Sequence, residues 1–261
     1  MWKIVSASAK GNGHKECQDS YAHWQNSDVN ITIVSDGAGS KKNSKLGSNL
    51  TSIAILKLLK DFFEEKEFEK ISKEEWDKVS QEVVKKTLMY LKLKAKKLNI
   101  DYKSLGCTLI VNVYNKNKLL TFNIGDGRAG YKNTKGEWKS SITPFHGEEV
   151  GQTIFITSDG GLDSLGINYI EDEILSVVSL SDGMEDVSFY CFIEDKNSRT
   201  AYDKNQPYNE FFNPLLEYIK TSAKTKEELD SEFKNFLTNG TKRIEQENDD
   251  KTMIIGVLNE L

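Results

Sequence analysis

The chain has 261 residues, with 35 Lys and Arg against 40 Asp and Glu, a net charge of −5, and 38% hydrophobic and 10% aromatic residues. That apolar and aromatic content excludes general disorder, and the length allows one large domain or two small ones. The acidic balance speaks against a nucleic-acid surface, and no apolar run reaches the roughly 18 residues of a membrane helix. The opening Met1-Trp2-Lys3-Ile4-Val5-Ser6 has no secretory h-region, so a cytoplasmic protein without membrane contact is expected.

In chain order, Trp2 to Ser8 alternates as a strand, and Ile31 to Ser35 is a β-rich run that stops at Asp36-Gly37-Ala38-Gly39. Residues 44–65 turn helical, with Leu46, Leu50, Ile53, Ala54 and Leu58 on one side. Ser72 and Glu75 form a capping box that opens a second helix to about Leu98. Its buried stripe is read as Trp76, Val79, Val83, Leu91 and Leu98, and its lysines as a solvated face. Cys107 to Val113 and Leu119 to Ile124 flank a turn and predict a hairpin, as do Arg128 to Lys132 and Trp138 to Ile142.

Thr153 to Ser158 reads as a further strand that ends in Asp159-Gly160-Gly161. Asp186 to Ile193 is a strand or a buried aromatic segment, and Lys196 to Gln206 is polar and expected to be loop. Helices are predicted at Asn209 to Ser222 and at Thr225 to Leu237, the second with a Thr225–Glu228 capping box and a stop at Gly240. Thr252 to Leu258 is the last strand. Cys17, Cys107 and Cys191 are too scattered for a disulfide framework or a zinc pair, and Cys107 and Cys191 read as packing thiols.

The recurring feature is a β-rich strand that ends in aspartate followed by glycine: Ser35-Asp36-Gly37, Gly125-Asp126-Gly127 and Ser158-Asp159-Gly160. Asp249-Asp250 precedes the last strand, and Asp19 follows the first. One Asp-Gly makes a turn. Several converging at one sheet rim would form a hard-oxygen site for Mg²⁺ or Mn²⁺, which relieves their mutual repulsion. Gly125 to Gly130 fits G-x-G-x-x-G, but Tyr131-Lys132 runs into another turn where a dinucleotide site needs a helix.

Taken in order, the chain carries Gln18-Asp19, Ser35-Asp36-Gly37-Ala38-Gly39-Ser40, Leu46-Gly47-Ser48, Gly106-Cys107-Thr108 and Gly125-Asp126-Gly127-Arg128. Thr157-Ser158-Asp159-Gly160 with Asp163, then Asp249-Asp250-Lys251-Thr252, complete the set. The series resembles the metal-dependent type 2C Ser/Thr protein phosphatases (the PPM family), most of all their bacterial branch. The resemblance implies an α+β fold: two packed antiparallel β-sheets with a pair of helices outside each, a four-layer sandwich. It implies one domain over 1–261, with 180–230 as a flap beside the site that selects the substrate.

The resemblance also implies two Mn²⁺ or Mg²⁺ ions and a third, weaker site. Asp36 would bridge the pair, the Gly37 carbonyl would bind one ion, and Asp159 and Asp249 the other. Asp126 and Asp163 match the third site, and Asp19 would act through bound water. Two such ions, about 3.5–4 Å apart, would activate a bridging water for in-line attack on phosphorus. His14 stands where the family carries a phosphate-gripping arginine, Gln18 where it often has glutamate, Asp250 where it has asparagine, and Gly127 where serine is common. For His14, phosphate binding is preferred to acid catalysis. The expected protein is a monomeric phosphatase of phospho-Ser/Thr proteins, with a cognate Ser/Thr kinase as partner. A phosphatase-like sensing module without turnover and a hydrolase of small phosphoesters are the alternatives.

Overall fold

The computed structural model describes residues 1–145, 153–194 and 201–259. Among the described residues twelve strands run in chain order: β1 (Trp2–Ala9), β2 (Ser20–Gln25), β3 (Asn30–Ser35), β4 (Leu109–Tyr114), β5 (Lys118–Ile124), β6 (Arg128–Asn133), β7 (Trp138–Ser140), β8 (Gly166–Glu171), β9 (Ile174–Leu180), β10 (Phe189–Glu194), β11 (Ala201–Pro207) and β12 (Lys251–Leu258). The helices are α1 (Ser44–Glu65), α2 (Lys73–Leu98), α3 (Glu185–Ser188), α4 (Asn209–Thr221), α5 (Lys226–Asn239) and α6 (Lys242–Glu245). One five-stranded sheet has the order β1-β12-β9-β6-β7, the other β2-β3-β4-β5-β8, and β10-β11 form a separate ribbon. Every pairing is antiparallel.

Strand alternation builds the layers. On β3 and β4, Ile31, Ile33, Val111 and Val113 face α1 and α2, where they meet Ile55, Leu59, Trp76 and Leu91. Their neighbours Val34 and Ile110 point the other way and meet Ile4, Ala129 and Ile254 of the first sheet. On β1 and β12, Val5, Ala7, Met253 and Ile255 face α4 and α5, against Phe212, Leu216, Phe233 and Leu237. The order of layers is therefore helices, sheet, sheet, helices. Each large apolar side chain buried in this way stabilises the fold by roughly 1.5–3 kcal/mol.

Both expected hairpins form, β4–β5 and β6–β7. The Thr225–Glu228 capping box is present on α5, and Ser72 caps α2. Five elements differ from expectation. Residues 153–158 are not a strand: the Phe155 N–H donates to Ser158 Oγ (3.1 Å), the Ser158 N–H to the Phe155 carbonyl, and the chain turns on itself. The polar stretch 201–207 is a strand, because β11 pairs with β10 outside both sheets and needs no apolar face. β2 and β8 are half-polar and irregular in pattern, and β9 is buried almost throughout and shows no alternation, so none announces itself.

On α1 the buried face is Gly47, Ser48, Thr51, Ser52, Ile55, Leu59 and Phe63, one position away from the expected stripe, and Ile53 is 54% exposed. The small residues allow close approach: a Cβ on Gly47 would lie 2.1 Å from the Leu105 carbonyl oxygen. The hydroxyls keep partners, Ser48 Oγ donating to the Gln18 carbonyl (2.5 Å) and Ser52 Oγ to that of Ser48. The span 180–230 holds α3, the described parts of the β10–β11 ribbon and α4, and begins at the end of β9.

Candidate metal and phosphate site

Five acidic residues come together at one end of the two sheets. Asp36 follows β3, Asp126 follows β5, Asp182 follows β9, Asp249 precedes β12, and Asp19 precedes β2. The turns that carry them are interlocked. The Asp36 N–H donates to Thr108 Oγ1 (3.1 Å), and the Thr108 N–H to the Asp36 carbonyl (2.8 Å). A Cβ on Gly37 would stand 2.4 Å from the Gln18 carbonyl oxygen, so glycine alone fits there. Ser181 ties two further turns together. Its hydroxyl donates to Asp19 Oδ2 (2.8 Å) and accepts from the Thr252 N–H (3.0 Å).

Asp250 is the hub of the loop between β1 and β2. Its buried carboxylate accepts from the Gly11 N–H (2.8 Å) and the Gln18 N–H (2.6 Å), and His14 Nδ1 lies 3.0 Å from its Oδ2. The other imidazole nitrogen, Nε2, lies 3.7 Å from Asp249 Oδ1, so His14 stands at the edge of the carboxylate group.

Burial and mutual repulsion push the carboxyls of Asp19, Asp36, Asp126 and Asp182 up. Burial is the main cause for Asp36, held well above the usual range, with Asp19, Asp182 and Asp249 adding to it. Burial, then Asp126 and Asp249, raise Asp182 to about 8. Asp19 reaches about 6 through burial, against hydrogen bonds from Thr252 and Ser181 that favour its charged form. Asp126 is raised by burial, against a hydrogen bond from Thr153. For His14, burial disfavours the cation, but the hydrogen bond and charge of Asp250, with Asp249 and Asp19, outweigh it and raise the pKa.

Two of the expected site residues lie elsewhere. Asp159 is 90% exposed and paired with Lys103 Nζ at 2.6 Å, which holds its carboxyl below the usual range. Asp163 is exposed in the same turn. Because 153–158 is not a sheet strand, it cannot deliver its aspartate to the rim. Asp182 stands in the cluster instead. Its signal was present in the sequence, since Ser181-Asp182-Gly183-Met184-Glu185-Asp186 repeats the pattern of 158–163. It was hidden because β9 was not recognised.

The donors suit a hard divalent cation. Asp19 Oδ1, Asp182 Oδ1 and Gln18 Oε1 are buried oxygens without a hydrogen-bond donor, and carboxylate and amide oxygens are what Mg²⁺ and Mn²⁺ prefer. Among the described residues no three side chains are already spread into a metal cage. Asp36 instead lies among the carboxylates of Asp19, Asp182 and Asp249, whose charges add to burial in raising its pKa, a repulsion that a cation would relieve.

The model of the family described as Protein phosphatase 2C matches residues 8–238. A Mycoplasma genitalium protein provisionally named a protein phosphatase is 28% identical over 134 residues, 48% of each chain, so the match spans about half the length of that curated relative. Among solved structures, the serine/threonine phosphatase Stp1 of Staphylococcus aureus superposes with a TM-score of 0.63 at 16% identity, covering 100% of this chain and 96% of that one. The catalytic domain of the serine threonine protein phosphatase PstP, solved with two manganese ions, superposes with a TM-score of 0.63 at 14% identity over 99% of both chains. A bacterial serine phosphatase gives 0.64 at 16% identity over the full length of both. At these identities the superpositions establish the shared fold.

Proposed function

The chain belongs to the protein phosphatase 2C family, and on that premise we propose that it is a metal-dependent phosphatase of phosphoserine and phosphothreonine in proteins. One observation carries the reading: five aspartates from five separate turns meet at one rim, with buried oxygens left unpaired. Asp36, Asp182 and Asp249, with the Gly37 carbonyl, would hold two Mn²⁺ or Mg²⁺ ions, and Asp126 would serve a third. Bound there, such ions supply Lewis acidity, lowering the pKa of water and offsetting phosphoryl charge.

The chain's own groups do the rest. Asp250 Oδ2 faces His14 Nδ1 as its ion-pair partner at 3.0 Å, which leaves Nε2–H at the rim to hold a phosphoryl oxygen. The Gly11 and Gln18 N–H groups keep Asp250 from rotating. Asp19, fixed at Oδ2 by Ser181, keeps Oδ1 free to accept a proton from the attacking water. A phosphorylated protein is the proposed substrate, with the kinase that phosphorylates it as functional partner.

The test is hydrolysis of an aryl phosphate with and without Mn²⁺, repeated on phosphoserine and phosphothreonine peptides. Mn²⁺-dependent turnover of both is expected, with His14→Ala raising KM and His14→Arg restoring it. Turnover of the aryl phosphate alone would point to a small-molecule phosphoesterase. No turnover at any Mn²⁺ concentration would leave a sensing module.

A further inference from the structure

The second half of α2 has a composition unlike the rest of the molecule. Residues 83–100 contain six lysines, Lys85, Lys86, Lys92, Lys94, Lys96 and Lys97, and no acidic residue, in a chain whose net charge is −5. On α1 the outward lysines are neutralised in place, Lys57 by Asp61 and Lys60 by Glu64. On α2, among the described residues, only Lys86 has such a partner, Glu82. Solvation alone would explain a lysine face. It does not explain the two large apolar side chains within it: Met89 is 65% exposed and Leu93 is 67% exposed.

Their angular position is informative. At about 100° per residue, Val83, Thr87, Leu91 and Ala95 mark the face that packs on the sheet. Met89 and Leu93 fall on the opposite side, at the crest of the helix farthest from the core. Lys85, Lys92 and Lys96 flank that crest on one side, and Lys86 and Lys97 on the other. Ile53 of the neighbouring α1 is also exposed, at 54%.

We propose that this crest docks the protein on an anionic phospholipid surface, with Met89 and Leu93 dipping into the headgroup layer and the flanking lysines pairing with lipid phosphates. Shape selects the occupant. The crest is convex, and a segment of another protein is gripped in grooves, whereas a flat bilayer receives a ridge with apolar tips and cationic flanks. The contact is peripheral, since no described helix is long and apolar enough to cross a membrane. It departs from the expectation that the chain makes no membrane contact. The sequence shows the lysines, but only the fold shows that Met89 and Leu93 stand outside.

The test is co-sedimentation with large unilamellar vesicles of phosphatidylcholine, alone or with phosphatidylglycerol, at low salt and at high salt. Binding that requires phosphatidylglycerol and is lost at high salt is expected. The triple variant Lys85→Glu, Lys92→Glu, Lys96→Glu should weaken it at least about tenfold, and Met89→Ser with Leu93→Ser should weaken it at unchanged charge. Lys57→Glu with Lys60→Glu on α1 should leave it unchanged. The α2 positions are exposed and Lys57 and Lys60 stand at the surface of α1, Lys60 half-buried, so circular dichroism and aryl-phosphate turnover should match the parent protein. Absence of phosphatidylglycerol-dependent binding overturns the proposal, as does binding that the α2 variants leave intact. Retention by immobilised polyglutamate without vesicle binding would make the crest a dock for acidic protein and equally overturn it.

Discussion

Two segments of this chain share one local pattern and have opposite fates. Ser158-Asp159-Gly160-Gly161-Leu162-Asp163 and Ser181-Asp182-Gly183-Met184-Glu185-Asp186 both read Ser-Asp-Gly with a second aspartate at the end. The first lies in a self-bonded surface turn, where Gly160 has a φ of +78° and Asp159 reaches a lysine in solvent. The second follows β9, the middle strand of its sheet, with β12 on one side and β6 on the other. Ser181 is bonded across to Thr252 and Asp19, and a Cβ on Gly183 would sit 2.2 Å from the Asp250 carbonyl oxygen. A carboxyl in water beside a cation is held low, and the same carboxyl among other carboxylates is raised to about 8. What separates them is the strand that precedes each, not the motif.

The sharpest way to break this contrast is to remove each carboxylate in turn. Asp182→Asn should lower Mn²⁺-dependent kcat/KM on an aryl phosphate at least about 100-fold, the scale of losing a metal-site group. Asp159→Asn should remain within about twofold. Inverted results would return the site to 158–163.

The serines extend the contrast with a smaller effect. Ser181→Ala leaves Asp19 Oδ2 and the buried Thr252 N–H without their partner, at a cost of about 1–3 kcal/mol. It should also lower turnover by about tenfold, because Asp19 loses its fixed orientation. Ser158→Ala removes a bond to the half-buried Phe155 N–H in a turn that water can reach, and should cost less than about 1 kcal/mol with turnover unchanged. Urea denaturation and steady-state rates on the two variants separate the cases.

Much of this site was readable before the fold was known. Asp36, Asp126 and Asp249 could be found because each adjoins a strand that announces itself by β-branched runs, as Ile31 to Ser35 does. Asp182 could not, because Ile174-Leu175-Ser176-Val177-Val178-Ser179-Leu180 is buried on both faces and shows no alternation. Its Ser176 hydroxyl is satisfied within the sandwich by the Gly256 carbonyl, which no local pattern announces. The link between His14 and Asp250 lay out of reach for another reason, since it joins opposite ends of the chain through β1 and β12. On α1 the apolar period pointed one residue away, because close approach to the Leu105 carbonyl requires Gly47, and the buried Ser48 and Thr51 on the same face are bonded to Gln18 and Cys107.

Acid–base behaviour without metal gives a third, smaller contrast. The folded-state pKa values of Asp19, Asp36 and Asp182 lie above the ordinary aspartate value of about 3.9. The folded state therefore binds more protons than the unfolded chain, and stability falls as pH rises. Their contribution is fully present below about pH 4 and is lost as pH climbs through about 6 for Asp19 and about 8 for Asp182. Chelator-treated protein should accordingly melt lower at pH 8 than at pH 5.5. Saturating Mn²⁺ should remove that slope and raise the melting temperature at pH 8 by binding the folded state. Asp182→Asn should flatten the slope and shrink the Mn²⁺ shift. A melting temperature independent of pH and of Mn²⁺ would count against the cluster as drawn.

The smallest expected effect belongs to the exposed pair. Asp159 has a depressed pKa, so its sign is opposite: any stability it adds is present above the ordinary aspartate range and lost as pH falls through the depressed value. The pair is nonetheless almost wholly in water, with Lys103 half-exposed and Asp159 90% exposed. Solvent screening and the entropy of holding two side chains together cancel most of the attraction there. Lys103→Met should therefore leave the melting temperature within error of the parent protein from pH 5 to pH 8, with and without Mn²⁺, and leave KM for an aryl phosphate unchanged. If instead Lys103→Met lowered Mn²⁺ affinity or turnover, the 158–163 turn would be reaching the carboxylate rim during catalysis. The two segments would then be partners in one site, and the separation drawn between them would fail.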